Sequence, residues 1–147
     1  MTKTNDLDKF TAKFTNKRIE SIQIGRRYYL KNKELEEIRD RIDKEPQTIG
    51  VYLGEKTNDK NKEFIPSMEL LKLLSTVSED KIFINKKAEW LFLCGRDVFE
   101  DSIIKKKAEG LVLVQNENDE NLGFGKTKGN SIKNILDRGD FLRRERR

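Results

Sequence analysis

A chain of 147 residues can hold one ordinary domain or two small ones with thin cores. Charged residues make up 39% and the mean hydropathy is -0.81, yet the apolar residues fall in short periodic blocks, which points to a folded, highly solvated protein rather than a disordered one. No run approaches the ~20 apolar residues of a membrane helix, the first residues lack the apolar stretch of a signal peptide, and the single Cys94 allows no internal disulfide, so an intracellular protein without membrane contact is expected.

Residues 1–20 give no element beyond the helical spacing of Phe10 and Phe14. Tyr28-Tyr29-Leu30 reads as the end of a strand. Leu35, Ile38 and Ile42 then recur at i, i+3 and i+7 on one helical face, with Asn32 as N-cap and a stop before Pro46. Ile49 to Gly54 reads as a strand, and the polar run Lys56 to Lys62 closes a hairpin with Glu63-Phe64-Ile65. A second helix opens at Ser67, with Glu69 at its positive end and Leu70, Leu71, Leu74 and Val77 as its buried stripe. Strand, helix, hairpin, helix is an α+β pattern, and residues 1–79 are assigned to an N-terminal antiparallel-sheet domain with helices.

Near Ser78-Glu79-Asp80 the character changes. Ile82 and Ile84 alternate with Lys81, Phe83 and Asn85, as in a half-buried strand. Ala88, Leu91 and Phe92 line one face of a helix that Gly95 ends in the left-handed conformation. Val98-Phe99 and Ile103-Ile104 supply apolar pairs, Gly110 to Val114 is a continuous apolar strand, and Asn116 to Asn121 is a polar turn leading to Gly123-Phe124-Gly125. Short strands joined by turns, with one short helix, predict a small β-barrel over residues 80–147.

The search for catalytic groups comes back nearly empty. With no histidine, His-based triads, imidazole metal sites and the usual general base near neutral pH are excluded. Cys94 follows Trp90-Leu-Phe-Leu93 and reads as a buried, inert thiol, and the chain lacks the ligands of a structural zinc site. Gly125-Lys126-Thr127 mimics the end of a phosphate-binding loop, but Glu120 stands where that loop needs its first glycine. Asn116-x-Asn118-x-Glu120 echoes a calcium loop, but Asn121 replaces the required glycine. No cofactor, metal or small-molecule substrate is expected.

Charge is distributed unevenly. Residues 126–147 hold eight basic side chains against Asp137, Asp140 and Glu145, a local net of +5 that equals the net charge of the whole chain. Residues 1–125 therefore sum to zero, and the excess positive charge lies where a phosphate backbone would need it. Arg146 and Arg147 read as a solvated tail, whereas from Lys126 to Arg144 glycines and apolar residues interleave with the charges, as on a folded surface.

The run Lys81-Ile-Phe-Ile-Asn85, Ala88-Glu-Trp-Leu-Phe-Leu-Cys-Gly95, Gly110-Leu-Val-Leu-Val114, Leu122-Gly-Phe-Gly125 and Arg138-Gly-Asp-Phe-Leu-Arg143 resembles, in order and spacing, a PUA domain, a small RNA-binding β-barrel. Over residues 28–144, with Tyr28-Tyr29, Ile49-Gly-Val51, Phe64-Ile65, Leu70-Leu71 and Gly139 to Glu145 added, the chain resembles the Nip7 family of large-subunit ribosome biogenesis proteins. That resemblance implies a pre-PUA α+β domain followed by a PUA-type mixed barrel. It implies a protein that is not an enzyme and that binds single-stranded or looped pre-rRNA of the large subunit. It further implies work beside other assembly factors, including an rRNA methyltransferase, in the cytoplasm of a prokaryote or the nucleolus of a eukaryote.

Lys126, Lys128 and Lys133 follow the Leu-Gly-Phe-Gly turn, where the resemblance puts the basic RNA-binding segment, and rank first as RNA contacts. Arg138, Arg143 and Arg144 come next, and Lys105, Lys106 and Lys107 form a third patch. Tyr28, Trp90 and Phe124 could stack on bases, with Trp90 read as barrel core and Phe124 as partly exposed. Two other readings stay open: an accessory subunit of an RNA-modifying enzyme or translation factor, and a protein-interaction adaptor whose basic tail is incidental.

Overall fold

The computed structural model describes residues 5–31, 50–57 and 64–145; within the last helix the side chains of Phe141, Arg144 and Glu145 are not described. The sequence-predicted helix around Leu35, Ile38 and Ile42, the cap at Asn32 and the loop between Asn58 and Lys62 lie outside these residues. The chain divides into two compact units, Met1–Leu70 and Leu71–Arg147.

In the first unit, helix α1 (Asp6–Thr11) is held at its start by a reciprocal cap. Asn5 accepts from the Asp8 amide at 2.8 Å while the Asp8 carboxylate accepts from the Asn5 amide at 3.4 Å, satisfying two otherwise unpaired donors. Four antiparallel strands follow in spatial order β1 (Ser21–Ile24), β2 (Arg27–Leu30), β3 (Tyr52–Lys56) and β4 (Phe64–Pro66). The hairpin of β3 with β4 joins the segments that the sequence pairs, with Lys56 opposite Phe64. Aromatic rings make this unit's core: Phe10 lies 5.4 Å from Phe14 and 5.5 Å from Phe64, and Tyr28 meets Phe64 edge-on at 5.7 Å. Tyr28 is fully buried, so it offers no surface to a base.

Helix α2 (Met68–Val77) starts where Ser67 predicts. The Ser67 hydroxyl accepts from the Leu70 amide at 3.1 Å and donates to the Tyr52 carbonyl at 2.7 Å. Leu70, Leu71 and Leu74 are fully buried, but Val77, assigned to the same stripe, is exposed at the helix end.

The second unit is a five-stranded mixed sheet in the order β6-β5-β7-β8-β9, made of β5 (Lys81–Ile84), β6 (Ile103–Lys106), β7 (Leu111–Gln115), β8 (Asn121–Lys128) and β9 (Ser131–Asp137). Only β5 and β7 run parallel, so the chain must cross over between them, and it does so through helix α3 (Lys86–Leu93) and β6. Asn85 caps α3 by accepting from the Ala88 amide at 2.9 Å, and Gly95, at φ 92°, ends it. Ala88 and Phe92 press onto Ile82, Ile84, Val112, Val114, Leu122 and Ile132 to form the core. Among the described residues no ladder joins β6 to β9, and Val98 bridges to Ile132 on β9.

Three expectations for side chains are corrected. Trp90, read as core, is 68% exposed, because it lies two residues from both Ala88 and Phe92 and therefore on the opposite side of α3. Cys94, read as buried, is exposed at the same helix end. Phe124, read as partly exposed, is 6% exposed, opposite the fully buried Leu113. Lys81 also differs: it is buried and ion-paired to Asp119 at 3.3 Å. The calcium-like segment is a turn held from within, since the Asn116 side-chain oxygen accepts from the amides of Asn118 and Glu120.

Helix α4 (Arg138–Glu145) closes the unit. Asp137 caps it, accepting from the Asp140 amide at 2.8 Å. Gly139 is required there by close approach, since a Cβ would collide with the Leu93 carbonyl at the end of α3.

Candidate nucleic-acid interface

Strands β8 and β9 form a hairpin around Gly129-Asn130. Thr127 and Ile132 face each other, and Ile132 is fully buried in the core. Because side chains alternate along a strand, the residues either side of them point to the other face. There Lys126 stands directly opposite Lys133, and Lys128 opposite Ser131, all three lysines exposed. Among the described residues no carboxylate pairs with any of these lysines. Like charges directly opposite on a sheet, about 5 Å apart at Cβ, repel and cost a fraction of a kcal/mol. A phosphate between them would remove that repulsion. The Leu122-Gly-Phe-Gly125 block makes the hairpin possible, since a Cβ at Gly123 would collide with the Leu136 carbonyl across the ladder.

The opposite end of the sheet also carries three lysines, but two are neutralised. Lys106 pairs with Glu109 at 2.9 Å and Lys107 with Glu79 at 3.1 Å. The hydrogen bond and charge of each lysine hold its partner carboxyl below the usual range. Lys107 also lies 5.8 Å from the centre of the Phe83 ring. Lys105, exposed and opposite Phe83, is left without an acidic partner among the described residues. Strands β5 and β7 separate this patch from β8, so the two lysine groups are three strand spacings apart, ~14 Å.

The arginines divide. Arg138 is exposed at the start of α4. Arg143 donates to the Leu93 carbonyl at 2.8 Å and lies 3.4 Å from the buried carboxylate of Asp137 and 3.9 Å from Asp140. Asn134 joins the same cluster, donating to the Phe92 carbonyl at 2.9 Å and to Asp137 at 3.2 Å. Arg143 and Asn134 thus fasten the carbonyl end of α3, where a cation also opposes the helix dipole. Arg144 lies in α4, with its side chain outside the described residues.

The exposure of two aromatic residues escaped the sequence reading. Trp90 stands on the solvent face of α3 with the exposed Lys86 and Lys87 one turn away. Phe99, 69% exposed, follows Val98, which bridges to Ile132 through amide-to-carbonyl bonds of 2.9 and 2.8 Å. The signal was present: in an extended Val98-Phe99 pair only one side chain can face the core.

A separate concavity of about 330 Å³ in the first unit is lined by Arg27, Tyr29, Gly50, Tyr52 and Glu55. Burial, reinforced by Glu55, pushes the Tyr52 hydroxyl well above its ordinary pKa, so it remains a neutral hydrogen-bonding group. Among the described residues no group of three or more acidic or cysteine side chains is placed to hold a metal ion.

Residues 80–146 match the profile of the UPF0113 PUA domain. A UPF0113 protein of Archaeoglobus fulgidus is 30% identical over 110 residues, which are 65% of this chain and 63% of that protein, so the match spans less than two thirds of the relative's length. A conserved PUA domain protein from Thermoplasma acidophilum has a TM-score of 0.53 at 18% identity, covering 81% of this chain and 98% of that one. A PUA domain from Aeropyrum pernix K1, crystallised with tartrate, has a TM-score of 0.51 at 15% identity, covering 65% of this chain and 62% of that one. Residues 80–146 thus match a PUA domain, and the fold is of α+β class, like those PUA-domain structures.

Proposed function

We propose that this protein binds RNA through the lysine-bearing face of β8 and β9 and acts, without catalysis, in maturation of large-subunit rRNA. The observation that carries the RNA-binding reading is the Lys126–Lys133 couple, without an acidic partner among the described residues, with Lys128 beside it: three exposed cations on one hairpin. Such an array gives phosphate affinity, and any base preference comes from unstacked bases. The ribosomal role rests on the resemblance of residues 28–144 to the Nip7 family. The same resemblance supports work beside other assembly factors, an rRNA methyltransferase among them, in the cytoplasm or, in a eukaryote, the nucleolus.

The test is binding to single-stranded RNA and to a large-subunit rRNA fragment over a salt series, with wild type compared to K126A/K128A/K133A. Each phosphate released from contact flattens the log–log salt slope by about 0.7, so the triple variant should lose about two units. Unchanged affinity and slope would remove the site from this hairpin. An absence of RNA binding by either protein would leave the adaptor reading instead.

A further inference from the structure

The geometry points to a pocket for one unstacked nucleobase beside these lysines, with Phe99 as its stacking surface; the inference rests on the RNA-binding reading above and names what that site selects. The bridge between Val98 and Ile132 is antiparallel, so Phe99 falls next to Ser131 and Asp97 next to Lys133. Val98 is buried with Ile132 in the core, and Phe99 is extended at φ -96° and ψ 157°, so its ring turns to the other face. That is the face of Lys126, Lys128 and Lys133. Lys128, Ser131 and Phe99 therefore stand in one row across the sheet, with Lys126, Lys133 and Asp97 in the next.

Phe99 borders an open hollow of about 440 Å³ whose other walls are Glu100, Asp101, Asn130 and Ser131. An aromatic ring this exposed contributes little to folding, whereas any base can stack on it. The Ser131 hydroxyl is occupied in donating to the Lys128 carbonyl at 3.0 Å, and Asp97 accepts from the Asn134 amide at 2.8 Å. Glu100 and Asp101 are exposed carboxylates, unsuited to phosphate but suited to accept from an exocyclic amino group on a base edge. Charge thus sorts the ligand: phosphates lie along the lysines, and the base turns toward Phe99 and the carboxylates. Cytosine and adenine present an amino group there, while uracil presents a carbonyl oxygen that the carboxylates repel.

The experiment measures binding of oligo(C), oligo(U) and an abasic ribose-phosphate oligomer to wild type, F99A, F99W and E100Q/D101N. Loss of one stacked base costs about tenfold in affinity, so F99A should weaken oligo(C) binding by about that factor with the salt slope unchanged, and F99W should restore it. The abasic oligomer should bind wild type and F99A alike. Wild type should prefer oligo(C) to oligo(U), and E100Q/D101N should abolish that preference. If F99A binds oligo(C) as wild type does while K126A/K128A/K133A is impaired, the pocket is refuted and the lysine site stands. If the lysine variant is also unimpaired, both fail. An equal loss on the abasic oligomer would overturn the pocket too, since it would reflect disturbed phosphate contacts.

Discussion

The two ends of the five-stranded sheet each carry three lysines, and they differ in what surrounds them. At β6, Glu79 and Glu109 neutralise Lys107 and Lys106. On β8 and β9, Lys126 and Lys133 face each other with no acidic partner among the described residues. Lysine count alone would rank the two ends equally. Ion pairing separates them, because a paired lysine must give up its carboxylate before it can release a counterion from RNA.

The largest test of this contrast outside the hairpin is to free the paired end. In E79Q/E109Q, Lys106 and Lys107 lose their carboxylates, and the RNA salt slope should steepen by up to about 1.4 units, ~0.7 for each of the two new phosphate contacts. An unchanged slope would mean that the β6 end never meets RNA.

Arg143→Ala comes next and separates structure from binding. Its bonds to Leu93 and Asp137 fasten α3 to α4, and a hydrogen bond to a charged group contributes about 1.5–3 kcal/mol. With the guanidinium about half exposed, the loss should be about 1 kcal/mol in denaturant unfolding, and the RNA salt slope should hold. A flattened slope at full stability would return Arg143 to the RNA contacts.

A smaller effect of opposite sign is expected at Lys126, which stands between Leu111 and Lys133. K126E turns a like-charge cross-strand pair into an opposite one and should stabilise the fold by a few tenths of a kcal/mol while weakening RNA binding. A fall in both would mark Lys126 as a structural residue instead.

The smallest effect is in pH. The carboxyls of Glu79 and Glu109 are held below their ordinary values, first by the hydrogen bonds from Lys107 and Lys106. Their folded pKa values are depressed, so this stabilisation is present above the unfolded carboxyl pKa and is lost as pH falls through the folded ones. Wild type should be slightly more stable than E79Q/E109Q at pH 7, and melting curves should converge in acid.

Much of this was legible in the sequence because it is written in short-range chemistry. Ser67 and Gly95 each sit at a helix end and do what a side chain or the lack of one dictates, whereas Asn85, read as part of the strand, turns out to cap α3. Strands β5 and β7 follow from apolar spacing, whereas β6 shows in the sequence only as the apolar pair Ile103-Ile104. The localisation of charge after Gly125 found the lysines on β8 and β9. Strand β9 stayed hidden because a register shift opposite Phe124 and Gly125 interrupts the alternation of Ser131 to Asp137. Helix α1 and β1 are too short to register a period. Arg143 reads as a surface cation by composition, and only its tertiary partners, fifty residues away at Leu93, reveal its fastening role. Phe99 was missed for a similar reason: its face is set by the partner of Val98.

The most direct measurement places the two lysine groups side by side: RNA affinity against salt for K126A/K128A/K133A and for K105A/K106A/K107A. The account predicts a slope about two units flatter for the first and less than about one for the second. Equal losses, or the larger loss at β6, would contradict it.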